Sequence, residues 1–223
     1  MFIIYIIFVV FVRHIIKYLR SSLLLTLGLF FLLIYQSTGS NYNSLLDYEE
    51  VSVNNNNKGN SCYIILIICH KKTTEFRRTL ESLFYNVRGI NRTDIEILVS
   101  QSGTNSDVYD IADSFNNLDI IQHHIEDPKE KQELRLPKHF AWSFDEAFNR
   151  YEEYDGIIVL EDDLIFSPDF LEYFDLTVPL LEEDDKLFTV SAWNDIGFKT
   201  NTDDLHALKL SLIHISEPTR QAE

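Results

Sequence analysis

The stretch Ile157-Ile158-Val159-Leu160-Glu161-Asp162-Asp163-Leu164-Ile165-Phe166-Ser167-Pro168-Asp169-Phe170 carries four apolar residues into three consecutive carboxylates and then into a helix start. An apolar run of this kind predicts a strand covered on both faces, as in a parallel sheet. Ser167 is suited to cap the following helix, Pro168 to its first position, and Asp169 to its positive end. The acids then sit at the carboxyl end of a buried strand, where open α/β sheets bind ligands. Alternation along the strand puts Glu161 and Asp163 on one side and Asp162 on the other. Carboxylates this close repel one another, and a hard divalent cation or a donor-rich ligand relieves the repulsion. An acidic run is more often a solvated loop, and Glu182-Glu183-Asp184-Asp185 reads as one. Its place at the end of an apolar strand sets Glu161-Asp162-Asp163 apart.

Outward from this stretch, strand and helix patterns alternate. Tyr63 to Cys69, Ile95 to Ser100, Asp119 to His123, Ile157 to Leu160 and Leu187 to Trp193 read as strands. Thr74 to Tyr85, Ser106 to Phe115, Pro137 to Tyr151 and Pro168 to Leu181 read as helices. Strict alternation predicts an α/β fold on a parallel-based sheet. No glycine-rich phosphate loop, Gly-x-Ser-x-Gly elbow or Cys-x-x-Cys pair occurs. A diphosphate bound through a divalent cation needs carboxylates rather than glycines, so sugar-nucleotide chemistry is the expectation.

The 35 acidic residues outnumber the 19 basic ones. No basic patch is present, which argues against nucleic acid as a partner. Cys62 and Cys69 lie on or beside one strand, and seven extended residues span roughly 23 Å, too far for a mutual disulfide. Ser21 to Tyr35 is uncharged and apolar, preceded by Arg13, His14, Lys17 and Arg20 and followed by polar and then acidic residues. That asymmetry predicts a type II anchor over 21–36, with residues 1–20 cytoplasmic and the remainder lumenal. The span is short, as suits thin early secretory membranes. A signal peptide cleaved near Ser37–Ser40 is the alternative. The leading run Phe2 to Val12 is too short to span. Residues 37–61 read as a stem that contains Asn54 to Asn57. Asn91-Arg92-Thr93 is an N-glycosylation sequon in a predicted surface turn.

Several ordered motifs resemble glycosyltransferase family 13. They are Val159-Leu160-Glu161-Asp162-Asp163-Leu164, Pro168-Asp169-Phe170-Leu171-Glu172-Tyr173-Phe174 and Val190-Ser191-Ala192-Trp193-Asn194-Asp195, joined by Ile97-Leu98-Val99-Ser100-Gln101 and His139-Phe140-Ala141-Trp142. The resemblance runs from about Tyr63 to Asp195. It implies a GT-A (Rossmann-like) domain, its N-terminal half within residues 62–209, on a Golgi type II membrane protein. It implies UDP-GlcNAc as donor, Mn²⁺ as cofactor, a high-mannose N-glycan as acceptor, and inverting transfer to a mannose in β-1,2 linkage. Asp163 matches the acid that coordinates the ion. Glu161 and Asp162 match neighbours that hold the sugar nucleotide, and His139 matches a nucleotide-binding histidine. Without the resemblance, His139 reads as a helix-surface or core residue.

Some positions depart from the family. An acid and an arginine near the nucleotide are replaced by His70, Lys71 and Lys72. Lys71 supplies charge to a diphosphate without arginine's planar fork. Ser102 stands where an aspartate recognises uracil, so a charge-assisted bond is lost while a donor and acceptor remain. No catalytic base is assigned, since the resemblance places it downstream of Asp195. Leu210 to Glu223 resembles a translated transposase-type sequencing adapter, so the chain is expected to be a truncated and inactive piece. The related O-mannose β-1,2-GlcNAc transferases, or a non-catalytic sugar-nucleotide or metal-binding domain, are the alternative readings.

Overall fold

The computed structural model describes residues 10–12, 62–124, 132–183 and 189–192. Strand β1 (Val10–Val12) precedes β2 (Tyr63–Cys69), helix α1 (Thr73–Asn86), β3 (Ile95–Ser102), α2 (Ser106–Asp113), β4 (Asp119–His123), α3 (Gln132–Arg150), β5 (Gly156–Glu161) and α4 (Phe170–Glu183). The strands form one sheet in the order β1-β5-β2-β3-β4. β2 pairs in parallel with both β3 and β5, and β3 in parallel with β4.

Burial explains the sequence of the central strands. Every residue of β2 is buried, and so are Gly156 to Leu160 of β5. Ile65, Ile67, Ile97, Val99, Ile158 and Leu160 pack on one face against Phe76, Leu80 and Leu83 of α1, Val108 and Ala112 of α2, and Phe174 and Val178 of α4. Ile64, Leu66, Leu98, Ile157 and Val159 pack on the other face against Phe140, Phe144, Ala147 and Phe148 of α3. A strand with helices on both sides has no polar face to alternate with, hence the unbroken apolar runs.

The crossovers position the site. β2–α1–β3 and β3–α2–β4 step in one direction with their helices on one face. β4–α3–β5 then returns past β2 with its helix on the other face. The strand order therefore reverses between β2 and β5, which is where open α/β sheets open a crevice beyond the strand ends.

Three expectations are corrected. Helix α4 begins at Phe170, not Pro168; Ser167 to Asp169 form the turn before it. The Ser167 hydroxyl donates to the Asp169 carboxylate instead of capping the helix. Helix α3 begins at Gln132 and carries Pro137 inside it rather than at its start. Thr189 to Ala192 belong to no strand, while 184–188 and Trp193 lie outside the described residues. So do the 21–36 span, the 37–61 stem, Asn194, Asp195 and the 210–223 tail. No helix among the described residues is long and apolar enough to cross a membrane.

The apolar N-terminal run acquires one placement. Val10 to Val12 lie antiparallel to Ile158 to Gly156 at the edge of the sheet. A span over 21–36 would hold residues 10–12 across the membrane from β5. That pairing and the span therefore exclude one another in a single molecule.

Candidate functional site

The three carboxylates lie at the mouth of this crevice. Glu161 is the last residue of β5, and Asp162 and Asp163 form the turn that follows. Because the strand ends at Glu161, its alternation does not extend to the two aspartates. Both face the segment leaving β2, which corrects the expected separation of Asp162 from Asp163. The His70 N–H donates to Asp162 Oδ2 at 3.3 Å. Lys72 Nζ donates to Asp163 Oδ2 at 2.7 Å and stands 3.9 Å from Asp162 Oδ1. Lys72, immediately before α1, therefore reaches the acids, whereas Lys71 is exposed and makes no side-chain hydrogen bond among the described residues.

The turn is held from beneath by helix α1. Thr79 Oγ1 accepts the Leu164 N–H and Ser82 Oγ accepts the Phe166 N–H, each at 2.8 Å. Both hydroxyls are buried on the apolar face of the helix. Two hydroxyl residues three apart among Phe76, Leu80 and Leu83 were the sequence signal for this support.

One ammonium does not neutralise three carboxylates. Burial, then Asp163 and Asp162, push the Glu161 carboxyl up to about 7, with Lys72 opposing. Burial also raises Asp162, against the His70 N–H and Lys72. The hydrogen bond to Asp163 is the main cause raising Lys72. The Asp163 side chain is only 5% exposed, and its Oδ1 is buried with no hydrogen-bond partner among the described residues. A carboxylate oxygen left this way lacks a donor or a cation.

Beside the acids, a ring of histidines lines the ends of β2 to β4. His139, 1% exposed, presents Nε2 to the Ser100 carbonyl at 3.2 Å and Nδ1 to His123 Nδ1 at 3.2 Å. A carbonyl only accepts, so Nε2 carries the proton of a neutral ring. Nδ1 then accepts from the Nδ1–H of His123. Burial is the main cause holding His139 down at about 4. His123 stacks on Trp142 with ring centroids 4.5 Å apart. Ser143 donates to the His139 carbonyl at 2.7 Å, so Ser100 Oγ is the donor in their 2.6 Å contact. His70 Nδ1 donates to the Ser102 carbonyl at 2.6 Å. Gly103 follows at φ +94°, a conformation that suits glycine, and its N–H donates to the His123 carbonyl at 2.9 Å.

The fold thus brings Glu161, Asp162 and Asp163 together, with Ser102 at the end of β3, one strand beyond β2, and His139 of α3 packed against the Ser100 carbonyl. Both nitrogens of His139 are engaged within the protein, so its ring orders the floor here. Lys72, Thr79, Ser82, and the Trp142–His123 stack are further members of the site.

A pH dependence follows from His139. An unfolded histidine titrates near 6.5, so between there and about 4 the unfolded chain binds a proton that the folded chain refuses. Folded stability is therefore lost as pH falls through that window, by about 3 kcal/mol in full. Glu161 has the opposite sign, since its raised folded value favours the folded state as pH falls from 7 towards 4.5. The two slopes oppose each other in the wild type. His139→Gln removes one of them, so urea unfolding should show the variant gaining about 3 kcal/mol relative to wild type between pH 7.5 and pH 4. Equal pH profiles would exclude a buried neutral His139.

A family model described as the GNT-I family matches residues 36–212. A curated relative, alpha-1,3-mannosyl-glycoprotein 2-beta-N-acetylglucosaminyltransferase of Arabidopsis thaliana, is 31% identical over 119 residues. That match covers 50% of this chain and 27% of the relative, so the chain spans about a quarter of the relative's length. Among solved structures, mannosyltransferase PcManGT from Pyrobaculum calidifontis in complex with GDP-Man and Mn²⁺ aligns with a TM-score of 0.38 and 13% identity, over 75% of this chain and 43% of that one. A likeness that distant carries no argument.

Proposed function

The chain belongs to the GNT-I family, and on that premise we propose that it is the nucleotide-binding part of a GT-A enzyme that transfers GlcNAc from UDP-GlcNAc to an N-glycan mannose. The proposed product is a β-1,2 linkage formed with inversion, in the Golgi lumen, by a protein anchored through residues 21–36. In an anchored molecule β1 is parted from β5, and β2 to β5 keep their own pairings. The observation that carries the reading is the carboxylate turn at the point where the strand order reverses.

The residues present fit a divalent cation. Asp163 Oδ1 is a buried hard oxygen with no partner among the described residues, and the acids around it raise the local negative charge. Among the described residues no group of three or more His, Cys, Asp or Glu side chains is arranged so that it could hold a metal ion by itself. A site with one protein carboxylate suits a cation whose other ligands are diphosphate oxygens and water. We therefore assign Asp163 as the residue that would hold Mn²⁺. When bound, the ion supplies Lewis-acid stabilisation of the departing diphosphate.

The chain's own residues do the rest of the binding. Glu161 and Asp162 accept hydrogen bonds from donor hydroxyls. Lys72 brings a positive charge beside the same turn, and Lys71 adds another at its exposed margin. Ser102 offers a hydroxyl to the base, with His139 fixing the strand end beneath it through Ser100. A carboxylate base beyond the described residues would take the proton of the acceptor hydroxyl.

The test is transfer by the complete protein, with UDP-GlcNAc, Mn²⁺ and a mannose-terminated N-glycan, read by mass spectrometry. Addition of one N-acetylhexosamine, lost on chelation, is the expected result. Transfer to an O-linked mannose alone would change the acceptor, and no transfer to either would overturn the reading.

A further inference from the structure

We infer that Asn91 is an N-glycan attachment site, on the pole of the domain opposite the carboxylate turn. The inference rests on the lumenal placement proposed above. Asn91-Arg92-Thr93 is the only Asn-x-Ser/Thr triplet in the chain. The Arg92 N–H donates to the Gly89 carbonyl at 3.1 Å, closing a β-turn with Asn91 at its third position. Asn91 and Thr93 are both exposed, and Asn91 makes no side-chain hydrogen bond among the described residues. Replacing one of its amide hydrogens therefore breaks nothing.

The neighbouring side chain is tied away from the amide. Arg92 spans Asp94, at 2.9 Å, and Asp175 of α4, at 2.6 Å. Buried Ile90 anchors the turn from the other side. The turn precedes the start of β3, whereas the acids follow the end of the parallel β5. The strand length puts roughly 25 Å between the two poles, so a glycan on Asn91 leaves the crevice open.

Timing also favours modification. Asp175 lies 84 positions after Asn91 (175 − 91), and β5 must be made before β2 has both neighbours. The turn is thus still unlocked when it first enters the lumen. In the step itself, Asn91 Nδ2 bonds to the anomeric carbon of a lipid-diphosphate-linked oligosaccharide. The carbon–oxygen bond to the lipid diphosphate breaks, and the displaced amide proton leaves to the medium.

Translation of the full chain with endoplasmic-reticulum microsomes tests this. Wild type and Thr93→Ser should show one mobility step removable by endoglycosidase, absent from Asn91→Gln and Thr93→Ala. Transfer precedes folding, so a variant that folds poorly still reports. No step in the wild type overturns the site. Protease protection then separates the two readings: a protected, unmodified chain leaves the lumenal placement standing, and a digested one removes both.

Discussion

Asp163→Ala in the complete protein should abolish cation-dependent binding of UDP-GlcNAc, a loss on the order of 100-fold or more. Few protein ligands are available at this turn. Asp163 offers one oxygen to Lys72 and keeps the other buried with no partner among the described residues. Alanine removes both, and no described group of three ligands can replace them. Removing the charge also relieves repulsion, since Asp163 is the foremost charge raising Glu161. Glu161 should therefore titrate at lower pH in the cation-free variant, though burial, the larger cause, keeps it above an ordinary carboxyl. That second readout separates lost ligation from lost structure. Asp113→Ala is the control, because Asp113 is exposed at the end of α2. Calorimetric titration with and without Mn²⁺ decides it, and unchanged metal-dependent affinity in Asp163→Ala would sink the assignment.

The centre of the sheet was legible in the sequence because its central strands have no solvent face. β2 and β4 begin and end as the apolar and turn patterns predicted, whereas β3 runs on to Ser102 and β5 to Glu161. Those polar ends are held by pairing, Glu161 opposite Ile68 and Ser102 opposite His123, which a propensity argument does not contain. The helix starts were less legible. Pro137 suggested a first helical position, yet α3 runs through it, with Phe140, Phe144 and Phe148 buried on the sheet. Proline in a helix interior costs about 3 kcal/mol, and burial of three phenylalanines exceeds that. The acids themselves were visible, but their grouping was not. Alternation applies only while the strand lasts, and the turn after Glu161 brings Asp162 and Asp163 to the same lysine. Whether Lys71 or Lys72 would face them depended on where α1 begins.

Thr79→Val combined with Ser82→Ala should destabilise the domain by several kcal/mol and weaken cation-dependent donor binding, although neither residue is an acid of the site. Each substitution strands a buried N–H, of Leu164 or of Phe166, and an unsatisfied buried donor costs about 1–3 kcal/mol. Valine keeps the shape of threonine and alanine leaves little space, so the effect is one of hydrogen bonding more than of packing. Ser82→Ala also removes an acceptor of the Asn86 amide, at 3.3 Å, a partly buried contact of smaller weight. Opposing this, Leu164 and Phe166 are themselves no more than 5% exposed and hold the turn by apolar contact. If that packing were sufficient, the freed N–H groups would shift to meet water and urea unfolding would barely change. A loss of roughly 2–5 kcal/mol would instead show that two helix hydroxyls set the path of the chain just after Asp163. Donor binding should then fall with it, because Asp163 Oδ1 is aimed by the turn those hydroxyls fix.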